Sequence, residues 1–137
     1  MAAVKELIRK EADGTLSFGD YELVAKSKKS DFEYEGDLYK IKTFAEITKL
    51  EKNGMFVYES VPGTTVTNMK YRENGVDFFV EGKGDAQITL ELEAEKEYIV
   101  SIDEKDSGVM KTNLGGKLNL SVEINKGQSV KIAVEAK

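Results

Sequence analysis

Lys117-Leu118-Asn119-Leu120-Ser121-Val122-Glu123-Ile124 is the stretch on which the fold is decided, because every second side chain is a branched aliphatic and every other one is polar. Successive side chains of a strand point to opposite faces, so Leu118, Leu120, Val122 and Ile124 make one dry face while Lys117, Asn119, Ser121 and Glu123 stay wet. A helix would need a period of 3.6. Gly115-Gly116 before the run and Asn125-Lys126-Gly127 after it are the punctuation expected at the ends of a strand.

Working outward from it, Val130, Ile132 and Val134 alternate on one side. On the other side Tyr98, Val100 and Ile102 alternate, and Gln87 to Glu95 places Ile88, Leu90, Leu92 and Ala94 on a single face. Further upstream, Thr65 to Arg72 and Val76 to Gly82 flank Glu73-Asn74-Gly75, an Asn-Gly hairpin signal, with Val76, Phe78 and Val80 facing inward. Turn residues recur at Gly82-Lys83-Gly84-Asp85, Asp106-Ser107-Gly108 and Lys126-Gly127. Short strands at this spacing predict an all-β fold, an antiparallel β-sandwich of Greek-key or jelly-roll-like topology, with residues 1–137 forming one domain.

The first half is less regular. Asn53-Gly54 between Glu46 to Lys52 and Met55 to Ser60 predicts a hairpin, and outweighs the capping box Thr43-Phe44-Ala45-Glu46 that would start a helix there. Val61-Pro62-Gly63-Thr64, holding the chain's single proline, suits a type II turn. Residues 1–19 form either a short helix over Ala2 to Glu11 or a hairpin arm, Leu7 to Glu11 against Thr15 to Gly19 around Ala12-Asp13-Gly14. Lys26 to Asp37 is the most polar part, in which Lys26, Lys28 and Lys29 precede Phe32 and Tyr34; it is expected to lead into an edge strand whose lysines discourage pairing between copies.

The totals exclude several kinds of chemistry. With neither cysteine nor histidine, the chain has no thiolate, no disulfide and no zinc signature, and it lacks the commonest general base. A Ser-His-Asp or Cys-His arrangement cannot be built. The net charge of −5 argues against nucleic acid as a partner, since that affinity rests on concentrated lysine and arginine. No segment has the apolar length of a membrane span. The start, Met1-Ala2-Ala3-Val4-Lys5-Glu6, has no signal-peptide core, so a cytoplasmic location is the default expectation, with release or non-standard export as the exceptions.

No motif supplies a site for a cofactor or metal. Gly82-Lys83-Gly84 lacks the third glycine of a dinucleotide fingerprint, and Gly115-Gly116-Lys117 lacks the earlier glycine and the following Ser or Thr of a P-loop. Asp103-Glu104-Lys105-Asp106-Ser107-Gly108 is acidic, but its oxygens fall at the wrong offsets for an EF-hand and Lys105 competes for the position, so a hairpin turn is the expectation. Glu91, Glu93 and Glu95 form a charged row on a wet face. Asn119-Leu120-Ser121 matches a glycosylation acceptor by chance, inside a strand.

The aromatic residues carry the remaining functional signal. An exposed patch of Phe32, Tyr34, Tyr39 and Tyr58 is the candidate interaction surface; a sugar-binding use of it requires two of the three tyrosines to be exposed and coplanar.

Several segments also carry a resemblance. These are Gly36-Asp37-Leu38-Tyr39-Lys40, Leu50-Glu51-Lys52-Asn53-Gly54-Met55, Tyr58-Glu59-Ser60-Val61-Pro62-Gly63-Thr64, Tyr98-x-Val100-x-Ile102-Asp103, Met110 to Leu118 and Ser121-Val122-Glu123. Together they cover most of the chain, which resembles a group of short, uncharacterised bacterial β-sandwich proteins, some labelled endosialidase. The resemblance implies the sandwich. It does not carry the activity, because sialidases of the usual kind hold the substrate carboxylate with three arginines and this chain has only Arg9 and Arg72. The functional expectation is a non-enzymatic structural or interaction module that self-associates through open strand edges, with carbohydrate binding by tyrosines as the alternative.

Overall fold

A computed structural model describes residues 3–137, and among them every regular element is a strand. In chain order the strands are β1 (Ile8–Lys10), β2 (Leu16–Phe18), β3 (Ser27–Tyr34), β4 (Asp37–Phe44), β5 (Ile47–Lys52), β6 (Met55–Val61) and β7 (Thr65–Arg72). There follow β8 (Gly75–Glu81), β9 (Ala86–Glu91), β10 (Glu97–Ile102), β11 (Lys105–Lys111), β12 (Lys117–Val122) and β13 (Val130–Ala136). They form two antiparallel sheets, one in the order β1-β2-β7-β8-β13-β10-β11 and the other in the order β12-β9-β6-β5-β4-β3. The sandwich read from the sequence is therefore the fold.

The alternating segments face one another across this sandwich. Leu118, Leu120 and Val122 of β12, Ile88 and Leu90 of β9, and Val130, Ile132 and Val134 of β13 are all buried in one core. Their polar neighbours Asn119, Ser121 and Glu123 are exposed. The most regular stretch of the sequence is nonetheless an edge strand, since β12 pairs only with β9. Its wet face meets water directly, which is why its pattern is the cleanest.

Three readings from the sequence need correction. The N-terminal helix does not form: β1 and β2 pair as the hairpin arm, with Ile8 opposite Phe18 and Lys10 opposite Leu16, and both apolar ends are buried in the core. Part of the residue 2–11 reading, Ala2 itself, lies outside the described residues. The Pro62 turn is not type II, because the Val61–Pro62 bond is cis and Gly63 does not adopt a positive φ. At the second Asn-Gly signal the hairpin is present, but the turn is Glu73-Asn74 and the glycine already belongs to β8, opposite Arg72. Gly75 is needed for another reason: a Cβ there would overlap the Val134 carbonyl oxygen of the adjacent strand. At Asn53-Gly54 both residues do adopt the left-handed conformation that a tight hairpin requires.

One end of the core is polar. The Thr64 hydroxyl shares hydrogen bonds with the Tyr58 hydroxyl (2.8 Å) and the Ser60 hydroxyl (2.7 Å), while Thr48 donates to the Thr64 carbonyl and is bonded to Thr43. All five side chains are fully buried. Each polar group therefore needs its partner, because an unsatisfied one costs about 1–3 kcal/mol.

Candidate functional site

At the other end the two sheets are not filled against each other. Here the β1–β2 turn, the β3–β4 and β5–β6 hairpins and the end of β7 surround a cleft of ≈ 940 Å³. That volume lies at the upper end of the range for small-molecule sites.

The cleft arises from breaks in the strand alternation. In β7, Val66 faces the core, and a strict period of two would send Asn68 and Lys70 inward after it. Asn68 instead takes a positive φ, the β7–β8 register shifts between Thr67 and Lys70, and Met69 and Tyr71 turn inward. Tyr71 lies opposite Val76, which is fully buried, so its ring belongs to the inner face. It still leaves 45 % of its surface open, at the end of the sandwich where the cleft lies. A similar shift in β3, with Asp31 at positive φ, orients Phe32 and Tyr34.

The four aromatic residues expected to form one surface have three different fates. Tyr34 and Tyr39 line the cleft. Phe32 packs half-buried against the core, with the Lys29 ammonium 5.6 Å from its ring centroid. Tyr58 sits in the interior, edge-on to Phe18 and Phe78 with ring centroids 5.3 Å and 5.9 Å away, and its hydroxyl belongs to the Thr64 network. The flat platform does not form either: Tyr34 and Tyr39 meet edge to face, their planes 72° apart. Tyr34 donates a 2.7 Å hydrogen bond to the Gly14 carbonyl, which closes one flank of the cleft between the sheets.

Tyr71 is the lining residue that the sequence reading missed. The signal was the three-residue step from Val66 to Met69, followed by two to Tyr71, with an asparagine in between that tolerates the left-handed conformation.

Tyr39, on β4, and Tyr71, on β7, come from opposite sheets, and among the described residues neither phenol has a hydrogen-bond partner. Burial pushes the Tyr39 phenol up to about 12, helped by the nearby Asp37 charge. Burial also raises the Tyr71 phenol, with Tyr39 and Glu91 adding to the effect, although much of the ring below it is open. Both hydroxyls thus stay protonated and able to donate at neutral pH.

The walls between them are apolar, with Leu16, Leu50, Val57 and Met69, and the charges stand at the rim. Most rim charges are engaged. Lys52 lies 3.6 Å from Asp37, which also accepts a 2.8 Å hydrogen bond from Asn53, and Lys117 pairs with Glu91 while its ammonium lies 4.5 Å from the Phe56 ring centroid. Asp13 is held below the usual carboxylate range by the Thr15 hydroxyl and backbone N–H. That direction is opposite to the one a general acid at neutral pH requires.

Among the described residues, no group of three or more carboxylates is placed to hold a metal ion, and no helix is long and apolar enough to cross a membrane. No family model matches the chain, and no curated protein or solved structure matches it either.

Proposed function

We propose that the chain is a non-enzymatic binding module whose cleft takes an uncharged, largely apolar small molecule bearing an acceptor oxygen. The observation that carries this reading is the pair Tyr39 and Tyr71, two donors facing an apolar space from opposite sheets with no protein partner. A buried tyrosine hydroxyl usually finds a partner, so that of Tyr39 is a group a ligand can satisfy, and the half-open Tyr71 faces it across the same space. The rim pairs Lys52–Asp37 and Lys117–Glu91 neutralise one another, which disfavours an ionic ligand on that side, and the crossed planes of Tyr34 and Tyr39 give a sugar ring no flat surface on which to stack.

Nile red, a neutral fluorophore with a carbonyl acceptor, tests it. Titration of the full chain is expected to give saturable, one-site binding with emission shifted to shorter wavelength. Tyr71→Phe, which keeps the ring and removes one donor, is expected to weaken binding about 3- to 10-fold, the equivalent of one hydrogen bond. Binding that fails to saturate, or that is equally tight in Tyr71→Phe and Tyr39→Phe variants of unchanged melting temperature, defeats the reading.

A further inference from the structure

The outer face of the six-stranded sheet carries a cluster that the cleft does not use. In β3, β4 and β5, which are neighbours, Lys28 stands opposite Lys42 and Lys42 opposite Lys49. Ile41, Thr43, Thr48 and Leu50 occupy the inward positions of β4 and β5, so Lys42 and Lys49 project outward. Three cations therefore lie in register across three strands.

Like charges directly opposite one another destabilise a sheet. Protecting an edge from unwanted pairing accounts for Lys28, because β3 is an edge strand. It does not account for Lys42, whose strand is paired on both sides and which has a lysine opposite it on each.

Lys40 joins them, and the four lysines together with Glu51 line a shallow hollow of ≈ 120 Å³. Lys49 lies 3.8 Å from Glu51, while Lys28, Lys40 and Lys42 form no ion pair among the described residues. The four lysines and Glu51 that line the hollow carry +3 on a chain whose net charge is −5, with Glu59 of β6 beside them, opposite Lys49.

We propose that this hollow binds a small soluble molecule carrying two or more phosphate groups. A lysine ammonium is a compact charge with three donors, suited to a phosphate oxygen. Directly opposed side chains start about 4.5–5.5 Å apart at Cβ, so one tetrahedral group reaches two of them. A single phosphate ester brings about −1.5 to −2 and leaves the hollow positive; two bring enough to neutralise it. This site is separate from the cleft and does not rest on what the cleft binds.

The test is calorimetric titration of inorganic tripolyphosphate into the full chain at fixed low salt. Saturable binding is expected, with orthophosphate at least tenfold weaker. The Lys42→Gln and Lys49→Gln variants are expected to lose tenfold or more in affinity, while Lys105→Gln, on the opposite sheet, stays within twofold of the parent. Without ligand, Lys42→Gln should melt no lower than the parent, since it relieves repulsion. The proposal is overturned if tripolyphosphate does not saturate, if Lys105→Gln loses as much as Lys42→Gln, or if Lys42→Gln changes only the binding of anionic phospholipid vesicles or of an oligonucleotide.

Discussion

Raising the pH should unfold this protein by way of its tyrosines. Tyr21, Tyr39 and Tyr58 are at most 9 % exposed, and burial raises all three phenols, in Tyr21 with the Glu81 carboxylate adding to it through a 2.9 Å hydrogen bond. In the unfolded chain each ionises near pH 10. Below that pH both states keep the proton and the tyrosines add no pH dependence. Above it the unfolded state releases protons that the folded state holds, so stability falls as pH rises, by about 1.4 kcal/mol per pH unit for each tyrosine. Three of them give about 4 kcal/mol per unit, and the slope eases only once Tyr39 reaches its own folded value of about 12. A domain of about 5–8 kcal/mol is then unfolded within about one to two units above pH 10. The assay is an alkaline titration followed at once by phenolate absorbance and far-ultraviolet circular dichroism. The expected result is that most of the phenolate signal appears together with the loss of strand signal. Tyr58→Phe should reduce the slope by about a fifth to a third, since one of the three most buried protons is gone while the more exposed Tyr34 and Tyr71, also raised, add to what remains. If all six tyrosines titrate independently near pH 10 while the dichroism is unchanged, the burial reasoning is wrong.

Four further outcomes are expected. Gly75→Ala should cost about 3 kcal/mol or prevent folding in urea unfolding experiments, because its Cβ meets the Val134 carbonyl, whereas Gly84→Ala, which meets nothing, should be within about 0.5 kcal/mol of the parent. Leu120→Ala should cost about 2–5 kcal/mol even though it lies on an edge strand, and Asn119→Ala beside it close to nothing. Thr64→Val should cost about 1–3 kcal/mol by equilibrium denaturation, because it removes the buried hydroxyl that bonds both Tyr58 and Ser60. Pairing between copies should be confined to β12: β3 and β11 join their neighbours through register shifts and β1 has only three residues, so a concentration-dependent mass in light scattering that survives Ser121→Pro contradicts this.

The fold was legible wherever one face of a strand is wet and the other dry. In β9, β10, β12 and β13 the aliphatic residues mark the core directly, and no competing period exists. Legibility failed where the inner face is itself polar. Thr43, Thr48 and Ser60 occupy inward positions of β4, β5 and β6, so a hydrophobic pattern cannot mark them, and the same blindness let Tyr58 pass for a surface residue. What fixes these side chains is a hydrogen-bond network that runs across β4, β5, β6 and the turn after β6, and the spacing within any one strand contains no trace of it.

The cleft was hidden for a different reason, and that reason ties it to the fold. The sequence places Tyr34 and Tyr39 on a flat exterior surface, because a regular period assigns each side chain to one face and keeps it there. The shifts at Asn68 and Asp31 change that assignment part-way along β7 and β3. After each shift the inner face ends on a tyrosine, Tyr71 beyond Met69 in β7 and Tyr34 beyond Phe32 in β3, and tyrosine is long, partly polar and poorly suited to filling a dry gap between sheets. The gap therefore stays open at the end where the bulged strands run out, and it closes at the other end, where the hydroxyls of Thr43, Thr48, Ser60 and Thr64 satisfy one another. Straightening β7 with Asn68 kept in the ladder at an ordinary strand φ would return Tyr71 to the outer face and bring Lys70 inward, whereas deleting Asn68 would leave Met69 and Tyr71 inward, so it is the extra residue in the bulge that sets which face Tyr71 takes.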